Sequence, residues 1–404
     1  MANNNKHTGP NVPALRFPEF SGEWTKIKLR DLGSFFSGGT PSSSRKDYYG
    51  GEIPFIRSGE LHSDSTALSI TKEAYDSCSA KMVNKGDLLL ALYGATSGDI
   101  SISRICGAIN QAILCIRPQY MDAYFIKSLW EKHKKHILET YLQGGQGNLS
   151  SEIIKNISFF FPNSDEQVKI SRLIHIIDDR IETQSKIIEE LTTLRSALVD
   201  TYINDGNNNN ENQTIMSLGA YGCFVRGLTY SSVDVTDNTA TTGVVRSNNL
   251  EYGSPVDIKT DLVYVTKKPS PEQMLVNGDI VICMANGSSS LVGKASNYQE
   301  LCRNMTVGAF CGIYRGTHPL TKWIFMSSAY CKAVANAIQG GNGAIANLHA
   351  EDILSMCFAV PSDYKTITEL GKLLSLFDEK LHAAEEQLAR FIEQKKYFLF
   401  KMFI

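Results

Sequence analysis

Between Ile170 and Tyr202 the seam positions alternate at spacings of four and three: Ile170, Ile174, Ile177, Ile181, Gln184, Ile188, Leu191, Arg195, Leu198, Tyr202. Two hundred positions further on the register recurs as Leu370, Leu374, Phe377, Leu381, Ala384, Leu388, Phe391, Lys395, Phe398 and Met402. Both runs carry a long basic side chain at the same late step. This is the spacing of a coiled-coil seam. Each segment of about 40 residues predicts a helix roughly 60 Å long at 1.5 Å per residue. An amphipathic helix packed on its own domain would show a similar stripe, but the shared length and register favour pairing of the two helices with each other.

The regions ahead of these helices also repeat. NKGDLLLALYGATSG around Gly86 corresponds to VNGDIVICMANGSSS around Gly278, and IPFIRSGEL to TTGVVRSNNL. QGGQGNLSSEIIKNISFFFP, ending at Pro162, corresponds to QGGNGAIANLHAEDILSMCFAVP, ending at Pro361. Short β-type runs (DLLLALY, AILCIRP, DIVICM, LVYVT) alternate with helical stretches at 123 to 142 and 322 to 338, which predicts an α+β chain. The expected order is an N-terminal segment 1 to 23, a mixed domain 24 to 162, a long helix 163 to 203, an Asn-rich linker 204 to 213, a second domain 214 to 361 and a second long helix 362 to 404. Antiparallel pairing of the helices would relate the two α/β domains by a pseudo-twofold axis.

Composition narrows the function. The 404 residues are enough for more than one core. With 40 basic and 42 acidic residues the net charge is −2, so no protein-wide positive field draws in polyanions. Nine cysteines without a CxxC pair fit neither a disulfide framework nor a zinc ribbon. MANNNKHTGP lacks a secretory layout and no apolar run approaches a bilayer span; a cytoplasmic protein is expected.

Motifs that would carry chemistry fail on spacing. Gly287 to Lys294 imitates a phosphate cradle, but five residues separate Gly287 from Gly293 and Ala295 stands where a magnesium-binding hydroxyl is needed. Cys106 and Cys115, matched with Cys302 and Cys311, are spaced too widely for a zinc knuckle; they read as buried strand thiols. Asp257 and Lys259 copy only part of a nuclease site. There is no GxSxG, GxGxxG or Asn/Asp-Pro-Pro-aromatic motif. No catalytic residue, metal site or cofactor is expected in the chain.

What remains is a set of polar, glycine-bearing loops at matching places in both halves. Their Arg, Asn, Gln, Ser, Thr and Tyr side chains are the donors and acceptors that meet base edges and phosphates. The DNA-contact candidates are Thr40, Ser42, Arg57, Ser58, Tyr93, Thr96, Ser97 and Gln146 in the first half. In the second they are Arg226, Tyr230, Arg246, Asn248, Asn286, Ser288, Ser289 and Asn342. Basic groups for phosphate contact are Lys26, Lys28, Arg30, Arg45, Lys46, Lys132, Lys134 and Lys135, three of them in the stretch EKHKKH.

The assembled pattern resembles the specificity subunits of type I restriction-modification enzymes over nearly the whole chain. PALRFPEFSGEW, IPFIRSGEL, GDLLLALYGATSG and the junction GGQGNLSSEIIKNISFFFP followed by EQVKISRLIHIIDDRI carry the resemblance; GDIVICMANGSSS and GGNGAIANLHAEDI depart from the commoner forms. The resemblance implies two target-recognition domains, each reading one half of an asymmetric bipartite site on double-stranded DNA. The helices would set the spacing and dock two methyltransferase subunits, through which two motor-nuclease subunits attach. S-adenosylmethionine, ATP and Mg²⁺ would belong to those partners. The alternative is a coiled-coil scaffold whose domains bind something other than DNA.

Overall fold

A computed structural model describes residues 11–141, 148–206, 212–299, 304–338 and 346–404. The chain forms two compact units: the residues up to Ser185 with Glu386–Ile404, and Lys186–Glu385. The same plan is built in each.

In the first unit an antiparallel sheet runs in the order Gly33–Ser37, Ile113–Pro118, Leu88–Ala91, Ile100–Ile102. In the second the order is Gly222–Arg226, Cys311–Gly316, Ile280–Cys283, Ala295–Asn297. The central strands LLLA and IVIC are buried at every position, because both faces of the sheet are covered. Alternate residues serve the two sides. Leu88 and Leu90 pack with Phe125, Leu129 and Trp130 of the helix Ala123–Tyr141, whereas Leu89 and Ala91 pack with Ile56 and Ile109 of another sheet. In the second unit Ile280 and Ile282 join Trp323, Ile324 and Tyr330, while Val281 and Cys283 join Val245 and Val307. Opposed Asp–Arg pairs tie the strands at matching places, Asp87 to Arg117 at 2.6 Å and Asp279 to Arg315 at 2.7 Å.

The other sheet shares three strands between the units. Tyr49–Ile56 pairs parallel with Gly107–Ile109, as Thr242–Val245 pairs parallel with Met305–Val307; Ser69–Ile70 and Val263–Val265 flank them. The fourth strand differs. Lys81–Val83 lies beyond Gly107–Ile109 in one unit, and Val235–Thr236 beyond Val263–Val265 in the other.

A long helix follows each set of sheets, Ser164–Tyr202 and Tyr364–Met402. Within the first unit Ile170 and Ile174 share a core with Leu399, Met402 and Phe403, Asp178 meets Lys395, and the Arg180 guanidinium lies over the Phe391 ring. Within the second, Arg195 meets Asp378, and Val199 and Ile203 pack with Leu374, Leu370 and Ile367. In each unit the paired segments therefore run antiparallel. Of the seam positions, Ile170, Ile174, Ile177, Leu370, Leu374 and Leu381 are buried; Ile181, Ile188, Leu191, Leu198, Phe377, Leu388, Phe391 and Phe398 are half-buried. No described helix is long and apolar enough to cross a membrane.

The structure departs from the sequence reading in detail. The stretch 322 to 338 is two helices, Thr321–Ile324 and Ser328–Ile338, because Ser327 interrupts it and accepts the Tyr330 N–H at 3.1 Å as a cap. Cys106 is exposed, in the turn before Gly107–Ile109, whereas Cys115, Cys283 and Cys311 are buried. By strand register Cys115 corresponds to Ile313 and not to Cys311, since Pro118 faces Gly33 as Gly316 faces Gly222. Cys302 lies outside the described residues.

Candidate nucleic-acid interface

Loops cluster where the sheet strands of each unit end. In the first unit the loop after Leu88–Ala91 holds Tyr93, Thr96 and Ser97, and it is anchored rather than slack. Gly98 closes it at φ 81° and its carbonyl accepts the Trp130 indole N–H at 2.8 Å. The second unit repeats the device: Gly293, at φ 82°, accepts the Tyr330 hydroxyl at 2.8 Å. Only glycine adopts this backbone without strain, and a Cβ at either position would strike Leu138 or Val334. The Gly287 to Lys294 loop is thus held by its own helix, with Val292 and Gly293 buried. Trp130→Phe keeps the ring packing and strands the Gly98 carbonyl. We expect a loss of about 1–3 kcal/mol in denaturant unfolding.

Matching arginines open the next loop. Arg57 starts the turn Ser58–Glu60, and its Nε and Nη2 donate to Glu60 at 3.2 and 3.1 Å. Those two hydrogen bonds hold the Arg57 guanidinium above its ordinary pKa. Arg246 starts the turn Ser247–Asn249; its Nη2 donates to the Asp261 carbonyl at 2.9 Å and meets the Asp261 carboxylate at 3.1 Å. Asn248 donates to the same carboxylate at 2.8 Å. Tyr230, Arg246, Ser247 and Asn248 line a cleft of about 400 Å³, opposite Gly308 to Cys311. Phe310 stands at its edge, 71% exposed.

Thr40 is exposed and donates to the Gln111 side chain. Ser42 is exposed and bonded to Ser44 at 2.8 Å. Ser58 is half-buried in the Arg57 turn, and Tyr93 bridges to Asn148. Ser97 turns inward to the Leu92 carbonyl at 3.1 Å, and the Thr96 carbonyl accepts the Asp99 N–H at 2.9 Å. Asn286 donates to Ser247 at 3.3 Å, which ties it to the cleft. Ser288 bonds Ser290 at 2.8 Å and Ser289 begins the turn Ser289–Leu291, both away from the cleft lining. Arg226 is exposed at a strand end and also outside that lining. Gln146 and Asn342 lie outside the described residues.

The sequence reading missed Gln111, Asp261 and Phe310. Gln111 and Phe310 sit in the turns just before the matched strands Ile113–Pro118 and Cys311–Gly316, so the internal repeat could have pointed to those turns. No sequence signal links Asp261 to Arg246. Several basic groups offered for phosphate contact serve the fold instead. Lys132 donates to the Phe403 carbonyl at 2.5 Å, Lys134 pairs with Asp99, and Arg45 pairs with Asp47 at 2.5 Å. Lys135 remains exposed.

Residues 21–193 match the family described as Type I restriction modification DNA specificity domain. The MjaIX specificity subunit of Methanocaldococcus jannaschii is 28% identical over 194 residues, 45% of this chain and 44% of that protein. The EcoKI specificity subunit of Escherichia coli K12 is 28% identical over 192 residues, 46% of this chain and 40% of that one. The matches thus span under half the length of these curated relatives. A crystal structure of the type I restriction-modification S subunit from M. genitalium shares the fold over 97% of this chain and 99% of its own, with TM-score 0.63 and 15% identity. Residues 21–193, under half of the chain, thus match that family's DNA specificity domain, and the chain as a whole shares the fold of the M. genitalium S subunit.

Proposed function

We propose that this chain is the DNA-reading subunit of a type I restriction-modification assembly. Each unit reads one half of an asymmetric bipartite site on double-stranded DNA, and the long helices set the spacing and dock two methyltransferase subunits. Two motor-nuclease subunits join through the latter. S-adenosylmethionine, ATP and Mg²⁺ serve those partners, and this chain contributes recognition without catalysis, in the cytoplasm.

The observation that carries the reading is the duplication of one scaffold under different loops. The Asp–Arg ties, the anchored glycine and the arginine-led turn recur in both units, while the side chains exposed around them differ. A reader duplicated in this way suits a site whose halves differ in sequence. Partner docking has its own support. Ile176 and Leu376, 200 positions apart on the long helices, are 44% and 53% exposed, so each unit offers an equivalent apolar position to one of two identical partners. The near-neutral charge fits a subunit whose partners supply much of the phosphate neutralisation.

Footprinting on DNA that carries the host's methylated motif tests the reading against a scaffold without DNA contact. With methyltransferase subunits present, protection is expected over both half-sites and to vanish when either half-site is scrambled. Protection indifferent to scrambling would contradict it.

A further inference from the structure

We infer that Asp261 is a positioning residue that aims Arg246 at a guanine in the half-site read by the second unit. The inference rests on the DNA-reading function proposed above and adds to it a ligand and a residue that holds the reader in place.

The two units hold their matched arginines by different means. In the first, the arginine and its acid share one turn, since Glu60 takes both the Arg57 backbone N–H at 3.1 Å and the guanidinium. In the second, Asn249 occupies the Glu60 place and takes only the backbone N–H of Arg246, at 2.9 Å. The carboxylate arrives instead from Asp261, which reaches both Arg246 and Asn248. Asn249 in turn holds the Thr260 carbonyl at 2.8 Å, so the segment carrying Asp261 is tied back to the turn it serves.

Stability does not account for this arrangement. Arg246 and Asp261 are 34% and 59% exposed as side chains, a setting in which ion pairs are screened and add little. Asp261 also holds φ 52°, a left-handed backbone that few residues with a Cβ other than Asn and Asp adopt. An acid set in a left-handed turn and in a weak ion pair is better explained by the orientation it enforces. With Nη2 committed to Asp261, the Nη1 group of Arg246 takes no hydrogen bond among the described residues, and Nε is buried without a partner. A cation held in one pose on a cleft wall loses less freedom on binding. That leaves Nη1 as the donor group offered to the cleft, and guanine, with two acceptors and no donor on its major-groove edge, is the base that suits it.

The test uses the chain assembled with its methyltransferase subunits, on duplexes substituted at each base pair of the mapped site. Asp261→Gly keeps the left-handed backbone available and removes both carboxylate contacts. It is expected to lower discrimination at one guanine of the second half-site about tenfold, read as kcat/KM on the parent duplex against each substituted one, with discrimination in the first half-site unaffected. Asp261→Asn, which retains an acceptor and tolerates left-handed backbone, should restore most of the discrimination. Arg246→Lys keeps the charge but loses the planar guanidinium that Asp261 orients, and should relax the same base pair. If Arg246→Lys relaxes that pair while Asp261→Gly leaves it within twofold of parent, the role of Asp261 is overturned and DNA reading by the second unit stands. A second half-site without guanine, or equal loss in both half-sites with either Asp261 variant, overturns the inference as well. Should footprinting show no protection of the second half-site at all, the proposed function itself fails.

Discussion

Asp178→Ala is expected to lower the unfolding free energy by about 3–5 kcal/mol, towards the smaller figure because the site is not fully dry. Asp178 accepts hydrogen bonds from Tyr124 and from Lys127 at 3.0 Å, and pairs with Lys395 at 2.8 Å. Lys395 also meets Glu131 at 2.8 Å. The side chains of Lys127 and Lys395 are only 12% and 18% exposed, so removing the carboxylate leaves two largely desolvated cations with less counter-charge. Replacing Lys395 with Met in the same chain should return part of the loss. Urea unfolding measures both; a change under about 1 kcal/mol for Asp178→Ala would show that the network adds little.

The same cluster fixes a pH dependence. Burial alone would raise the Asp178 pKa, but Lys127, Lys395 and the Tyr124 hydroxyl outweigh it and hold the carboxyl below its usual value. A lowered folded pKa means stability that is complete above the unfolded value, about 4, and lost as pH falls through the folded one. For Lys395, burial lowers the pKa, but Glu131 and Asp178 outweigh it and raise the ammonium above its usual value. Its share is complete below about 10.4 and lost as pH rises through the raised value. Stability should therefore fall at both extremes, and Asp178→Ala should flatten the acid limb.

The long helices were legible in the sequence because a seam repeating every 3.5 residues on average leaves few alternatives over 39 residues. Even the late basic step in each seam has a place: Lys395 meets Asp178 in one unit, and Arg195 meets Asp378, 200 positions beyond Asp178, at 2.7 Å in the other. Strands such as Leu88–Ala91 and Ile280–Cys283 were legible as short apolar runs entering glycine-rich loops. What escaped depends on folding in three dimensions. The stretch 322 to 338 reads as a continuous apolar helix until Ser327 is seen capping Tyr330. The stretch EKHKKH looks like a phosphate-binding face, yet Lys132 and Lys134 are occupied by Phe403 and Asp99. The cysteine correspondence slipped by two residues, which keeps the strand face and so leaves the hydrophobic pattern unchanged.

The candidate interface was legible only as a set of loops. That Arg246, Asn248 and Tyr230 converge while Ser288, Ser289 and Arg226 do not line the same cleft follows from how distant turns meet. Periodicity carries no information about that. Asp261 is the plainest case, an acid 15 positions from the arginine it holds.

The central claim is that each unit reads its own half of the DNA site. Exchanging residues 214 to 361 for the matching region of a specificity subunit with a different second half-site tests it most directly, with methylated adenines mapped in DNA from cells that carry the hybrid and its methyltransferase. The account predicts a motif in which one half is replaced, while the other half and the unread gap stay as they were. A motif changed in both halves, or in neither, would contradict it.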